Sequence, residues 1–277
     1  RNKLALAEST NALPKVVIPV HFAGQPCDMK EIRALSKQYG FFVIEDASHA
    51  VGAKYQEKFV GSCQFSDICV FSFHPVKIIT TMEGGMALTN NSEWAEKMRM
   101  LRSHGITNDP EKMTEDSHGP WYYQQIALGF NYRMTDVEAA LGLSQLKKLP
   151  GFLEKRNTLA AHYDERFASK ENISPLKQSN NRYSSYHLYV VRASGLTRKE
   201  HAFVVEQLRD KGVFAHLHYI PIHCQPYYKN LGFNIGDFPN AERYYEQAIT
   251  LPLFPELTRE QIDLIVDTLS RILDSLN

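Results

Sequence analysis

Lys77 ends the run Ser72-Phe73-His74-Pro75-Val76-Lys77, directly beyond an apolar stretch that reads as a buried strand. Desolvation at such a place would lower the pKa of the amine and make it a nucleophile able to form a Schiff base. A solvated loop lysine is the commoner reading of any lone Lys, and Ser72 fits either a phosphate-binding hydroxyl or a turn. Glu45-Asp46-Ala47-Ser48-His49 follows a second apolar run. In parallel α/β sheets ligands lie beyond the carboxyl ends of strands, so Asp46 could face a ligand there, or it could cap a helix or close a turn. Glu83-Gly84-Gly85 adds paired glycines, which allow a close ligand approach or a tight turn. His216, His218 and His223 are close together in the sequence. Alternate residues of a strand point the same way and could ligate zinc, but no Cys or acidic ligand accompanies them, and no metal is expected.

These groups need elements to hold them. Residues 16–22 read as a buried strand, followed by a turn at Gly24-Gln25-Pro26. Asp28 and Glu31 form a capping-box pattern ahead of a helix whose apolar positions are Ile32, Leu35 and Tyr39 and which Gly40 stops. Residues 41–44 are a second strand. Strand, helix and strand make a βαβ unit, hence parallel pairing with a right-handed crossover. Residues 68–73 and 85–89 read as further strands, and Asn91-Ser92 begins a helix to about Arg102. Residues 103–125 form a loop long enough to be functional. Thr135 and Glu138 open a helix expected to break near Pro150-Gly151 and resume to about Phe167. The remainder reads as a small α+β unit. It has a strand at 187–192, a helix capped by Thr197 and Glu200, a strand at 213–219 and a last amphipathic helix carrying Ile262, Ile265, Leu269 and Leu273.

Composition narrows the classes. Lys plus Arg (31) equals Asp plus Glu (31), so a protein built to neutralise nucleic-acid phosphates is not expected. No apolar run reads as a membrane span or a signal peptide. Cys27, Cys63, Cys69 and Cys224 form no C-x-x-C pair, which points to a reduced, cytoplasmic protein.

The order Asp46, His49, Ser72, His74, Lys77, Glu83-Gly84-Gly85 resembles the signature of the DegT/DnrJ/EryC1/StrS family of sugar aminotransferases, which depend on pyridoxal 5'-phosphate (PLP). The resemblance covers nearly the whole chain. It includes Gly129-Phe130-Asn131-Tyr132-Arg133-Met134-Thr135-Asp136, His218-Tyr219-Ile220-Pro221-Ile222-His223 and Leu251-Pro252-Leu253-Phe254-Pro255. Two stretches, Gly119-Pro120-Trp121-Tyr122-Tyr123 and residues 218–228, are most similar to the UDP-4-keto sugar transaminases of the pseudaminic acid pathway. The resemblance implies an α/β PLP-dependent transferase of the aspartate aminotransferase type (fold type I). A mixed, mostly parallel sheet would lie in a large domain at residues 1–135, and residues 136–277 would supply a linking helix and a smaller α+β domain.

Carried over residue by residue, the resemblance makes Lys77 the lysine that links covalently to PLP. Asp46 becomes the carboxylate facing the pyridine nitrogen, His49 the neighbour of the phenolic oxygen and Ser72 a phosphate contact. Asn131 matches an asparagine that crosses a homodimer interface to the partner's cofactor phosphate. His74, Arg133, His216, His218, Tyr219 and His223 are candidates for substrate contact. The implied reaction moves an amino group from L-glutamate to C4 of a UDP-linked 4-keto-6-deoxy amino sugar, toward a nonulosonic surface sugar. Family members extend further at the N-terminus. This chain is therefore expected to be truncated, with an exposed sheet edge and an incomplete phosphate pocket that could leave it inactive alone. Two other readings stand beside this one: a PLP-dependent sugar dehydratase, whose members carry His where Lys77 stands, and a catalytically silent scaffold. A nicotinamide enzyme fits poorly, because no G-x-G-x-x-G follows a strand.

Overall fold

The first strand of the computed structural model, which describes residues 1–276, is shorter than the apolar run suggests. Only Val16–Val17 (β1) joins a ladder, followed by a single bridge from Val20 to Asp46. Pro19 explains the interruption. It has no N–H to donate, although its carbonyl accepts from the Asp46 amide at 2.9 Å and the His21 amide donates to the Asp46 carbonyl at 3.0 Å. The chain thus runs beside the next strand to its carboxyl end.

Helix α1 (Met29–Tyr39) follows, and Gly40 terminates it at φ 76°, in the left-handed region. Asp28 is the N-cap residue but makes no side-chain cap bond, so the expected capping box does not form there. Strand β2 (Phe42–Asp46) pairs in parallel with β1 and with β3 (Ile68–Ser72), with Asp46 opposite Val70. Strand β4 (Gly85–Leu88) is antiparallel to β3, with Ser72 opposite Gly85. The sheet order is β1-β2-β3-β4, a mixed sheet with parallel strands at its centre. Met29, Phe41, Val43 and Tyr55 form one buried cluster of this unit, and Ala47, Ala50, Cys69 and Phe71 belong to another.

Helix α2 (Ser92–Leu101) is capped by the Asn91 side chain, which accepts from the Trp94 amide at 3.0 Å. The segment expected as a plain loop contains a short antiparallel pair, Ile106–Thr107 with Gln124–Gln125. Helix α3 (Asp136–Phe167) begins with the expected capping box. The Thr135 amide donates to Glu138 at 2.7 Å and the Glu138 amide donates to the Thr135 hydroxyl at 3.3 Å. The expected break does not occur, and Pro150 lies inside a continuous helix flanked by buried Leu149 and Leu153. The chain divides into two compact units inside this helix, residues 1–21 with 26–149 and residues 22–25 with 150 onward. The expected division lay at the helix start.

The second unit is an antiparallel sheet of β5 (Ile173–Pro175), β6 (Tyr189–Ala193) and β7 (Ala248–Leu251), with β6 in the middle. Helices α4 (Arg198–Asp210), α5 (Pro239–Gln247) and α6 (Arg259–Asp274) belong to it. Its core joins Tyr163 and Phe167 of α3 to Tyr189, Leu208, Ile249, Ile262 and Leu269, with the Tyr163 and Tyr189 rings stacked at 4.4 Å. The Thr197–Glu200 capping box forms as expected. Residues 213–219 do not make a strand, and only His216 bridges, to Thr250. Residues 22–25 belong here because the Ser185 amide donates to the Gly24 carbonyl at 3.1 Å. Gly24 sits at φ 99°, and a Cβ on it would stand 2.4 Å from the Ser185 hydroxyl. Among the described residues no helix is long and apolar enough to cross a membrane.

Candidate active site

Asp46 is the last residue of β2, and Ser72 is the last residue of the adjacent parallel strand β3. Both therefore stand at the carboxyl edge of the sheet, the ligand-binding edge of α/β folds. Lys77 follows β3 in a turn that its own amide closes by donating to the His74 carbonyl at 2.9 Å. Its side chain is half-buried. Burial pulls the amine below its ordinary 10.5, and the Asp46 carboxylate opposes that fall. His49 is buried in the turn after β2, and the Asp46 carboxylate accepts from the Ser48 amide at 3.0 Å. Asp46 is thus a turn residue, and its charge acts on the Lys77 amine.

The remaining expected residues fall into separate groups. His74 is exposed, with Nδ1 accepting from the Val76 amide at 3.4 Å and Nε2 3.8 Å from Glu83. Ser72 Oγ accepts from the His74 amide at 3.5 Å. Asn131 is exposed and its backbone bridges Ser103. Arg133 lines a groove of 850 Å³ along β4 with Arg99, Arg102 and Tyr132.

His216, His218, Tyr219 and His223 all belong to the second unit. The His216 and His218 rings stack at 4.8 Å, His218 Nδ1 lies 2.9 Å from the Thr250 hydroxyl, and Tyr219 meets His218 edge-on at 4.6 Å. His223 differs from them. It is 7 % exposed, and its Nε2 lies 2.8 Å from Glu242. That ring is committed to an internal partner and pins its own loop. No group of three or more His, Cys, Asp or Glu arranged to hold a metal occurs among the described residues.

Glu242 also accepts from the Gly236 amide at 2.8 Å. The bond to His223, and then that to Gly236, hold its carboxyl below the usual carboxylate value of 4.5. A depressed carboxylate stabilises the fold fully above its unfolded pKa and loses that contribution as pH falls through the folded value. Backbone exchange at Gly236, corrected for intrinsic rate, is therefore expected to be slow at neutral pH and to quicken below about 4.5. Glu242→Ala, which removes the acceptor, should give fast exchange already at neutral pH; exchange as slow as in the unaltered chain would contradict this role.

Sequence reasoning missed a buried network behind Asp46. His21 (0 % exposed) lies with Nε2 2.7 Å from Glu45 (5 % exposed). The Cys27 amide donates to His21 Nδ1 at 3.2 Å, so Nε2 carries the proton and donates to Glu45. Ser66 donates its hydroxyl to the other Glu45 oxygen. Glu45 and Asp46 point to opposite faces of β2, so the network grips the strand end while the Asp46 side chain faces the other way. Burial first, and Glu45 among the further causes, raise the Cys63 and Cys69 thiols, which makes them poor nucleophiles. The available signal was a Glu beside the candidate Asp, but its partners lie 24 and 21 residues away and leave no local pattern.

Comparison with known proteins gives the family and the fold. The sequence model of the DegT/DnrJ/EryC1/StrS aminotransferase family matches residues 3–270. A UDP-4-amino-4,6-dideoxy-N-acetyl-beta-L-altrosamine transaminase of Campylobacter jejuni is 39% identical over 261 residues, covering 93% of this chain and 65% of that protein. Helicobacter pylori PseC, an aminotransferase involved in the biosynthesis of pseudoaminic acid, superposes with a TM-score of 0.87 at 34% identity, over 99% of this chain and 70% of that one. Spr1654 of Streptococcus pneumoniae, solved in PLP and PMP forms, gives a TM-score of 0.84 in its PMP form at 31% identity, over 95% of this chain and 70% of that one. The chain thus spans about two thirds of the length of these relatives.

Proposed function

This chain belongs to the DegT/DnrJ/EryC1/StrS aminotransferase family, and from that premise we propose that it transfers an amino group to C4 of a UDP-linked 4-keto-6-deoxy amino sugar. L-Glutamate is the proposed donor, and the product feeds biosynthesis of a nonulosonic, pseudaminic-type sugar in the cytoplasm. The observation that carries the reading is Lys77, half-buried just past the end of β3, with Asp46 at the end of the adjacent parallel strand and burial lowering the amine's pKa. The residues fit PLP, the cofactor of this family. Lys77 offers an amine whose pKa burial lowers, Asp46 a carboxylate at the strand end, Ser72 a hydroxyl and His49 a ring.

Bound there, PLP supplies an electron sink that makes a proton on the carbon bearing nitrogen removable. The protein does the rest. Asp46 holds the proton on the pyridine nitrogen, Ser72 anchors the phosphate, and His49 orients the ring beside the phenolic oxygen. Lys77 binds the cofactor covalently and, once displaced, moves a proton at Nζ as general base and then general acid. His218 and Tyr219, with His216, His74 and Arg133, are the proposed sugar-nucleotide contacts. His223 is proposed to act through the loop it pins.

Asn131 is proposed to reach the cofactor phosphate of a second copy. It is exposed on a segment with Leu128, Phe130, Tyr132, Val137 and Leu143, apolar side chains that are also exposed and suited to a homodimer interface. Lys77 also distinguishes this reading from the sugar dehydratase, whose resemblance carries His at that position.

The test is product analysis. With PLP, 15N-labelled glutamate and a panel of UDP-4-keto-6-deoxy sugars, the label is expected at C4 of one amino-sugar product. Absence of label from every member of the panel would overturn the reading.

A further inference from the structure

Lys77 lies in a loop closed at its base and locked from within. Beyond the Ser72–Gly85 pair, the Phe73 amide donates to the Gly84 carbonyl at 2.8 Å. The Phe73 carbonyl then accepts twice, from the Thr81 amide at 3.0 Å and from the Thr80 hydroxyl at 2.9 Å. Ile78 and Ile79, directly after the lysine, are buried. Thr81 is 2 % exposed, and its hydroxyl donates to the Glu83 carbonyl at 2.6 Å.

Two glycines crowd this threonine. A Cβ on Gly84 would stand 2.4 Å from its hydroxyl, and a Cβ on Gly142 of α3 would stand 2.8 Å from its methyl. Thr81 is therefore wedged between the turn at 83–84 and the first turns of α3. Its hydroxyl closes the loop and its methyl fills the space that Gly142 leaves.

We propose that Thr81 is a positioning residue, which sets where Lys77 presents its amine by fixing the return of the loop against α3. The proposal rests on the reading of Lys77 as the lysine that links to PLP. Precise placement matters because a misplacement of about 1 Å can slow a reaction by about 10²-fold.

The test follows formation of the lysine–PLP linkage after PLP is mixed with cofactor-free protein, with borohydride trapping and peptide mapping to locate it. Thr81→Val keeps the shape and removes the hydroxyl bond, and is expected to form the linkage about ten- to a hundredfold more slowly. Thr81→Ser keeps the hydroxyl and should restore a rate close to that of the unaltered protein. Gly142→Ala should also slow the linkage, because its methyl would stand 2.8 Å from the Thr81 methyl and push the threonine aside. Rescue by Thr81→Ser, with Thr81→Val melting as the unaltered protein does, separates positioning from loss of fold. A Thr81→Val rate equal to the unaltered one, or a Thr81→Ser rate as slow as that of Thr81→Val, overturns the proposal and leaves the reading of Lys77 intact. Failure of the unaltered protein to trap PLP on Lys77 overturns both.

Discussion

Lys77→Ala is expected to leave a folded chain that no longer links PLP covalently, with transamination reduced by at least the 10²- to 10⁴-fold, roughly, that a positioned proton-transfer group contributes. The magnitude follows from the two jobs given to one amine, nucleophile and proton carrier, for which no other lysine has been placed at this strand end. The variant is expected to fold because burial disfavours the charged amine in the folded chain. Burial lowers its pKa from 10.5, so between the folded value and 10.5 the unfolded chain binds more protons. In that window stability rises with pH, and below it the buried ammonium is a cost to folding. Relative to Lys77→Ala, the melting temperature of the unaltered chain should therefore rise as pH approaches 10.5; a difference that does not change with pH would contradict this. Borohydride reduction followed by peptide mapping checks the first half of the prediction. A variant that still transaminates at the unaltered rate would remove Lys77 from the mechanism.

What could be read in the sequence was local. The helix ended by Gly40, the boxes Thr135–Glu138 and Thr197–Glu200, and the strands leading to Asp46 and Ser72 all follow from residues within one turn or one strand of each other. The errors have the opposite character. Residues 16–22 look like one strand, yet Pro19 cannot donate to a ladder. Pro150-Gly151 looks like a helix break, yet the buried leucines on either side keep α3 continuous. Residues 213–219 alternate well enough for a strand, but along β7 the ladder partner is β6, and His216 finds only a single bridge to Thr250.

The site divides in the same way. Lys77, Asp46 and Ser72 stand out because each follows an apolar run. His223 could not be recognised as an internal pin, since Glu242 lies 19 residues further on and the contact exists only after the loop folds back. His21, Glu45 and Ser66 were equally silent, being drawn from three segments that meet only in the folded sheet. Pairing between distant residues carries no spacing signature, whereas a residue's place at the end of a strand does.

Asp46→Asn isolates a charge, and its effect is expected to be nearly as large as the loss of the lysine. The Asp46 oxygen that accepts from the Ser48 amide at 3.0 Å can be replaced by an amide oxygen, so the turn after β2 should persist. What disappears is the negative charge facing Lys77 and, in the proposed complex, the pyridine nitrogen. An electrostatic contact that stabilises charge in the transition state contributes on the order of 10²–10³-fold, and kcat should fall by about that much while PLP still binds. A second consequence can be read without turnover. The Asp46 carboxylate raises the Lys77 pKa against the larger effect of burial, so removing it should let the amine fall further below 10.5. The pH dependence of Lys77 acylation in cofactor-free protein measures that shift directly, and its midpoint should move to lower pH in Asp46→Asn. An unmoved midpoint would mean that the two groups are not electrostatically coupled. Near-normal turnover would mean that the pyridine nitrogen has no need of this carboxylate. Because the two readouts fail independently, they separate the geometry of the site from the chemistry proposed for it.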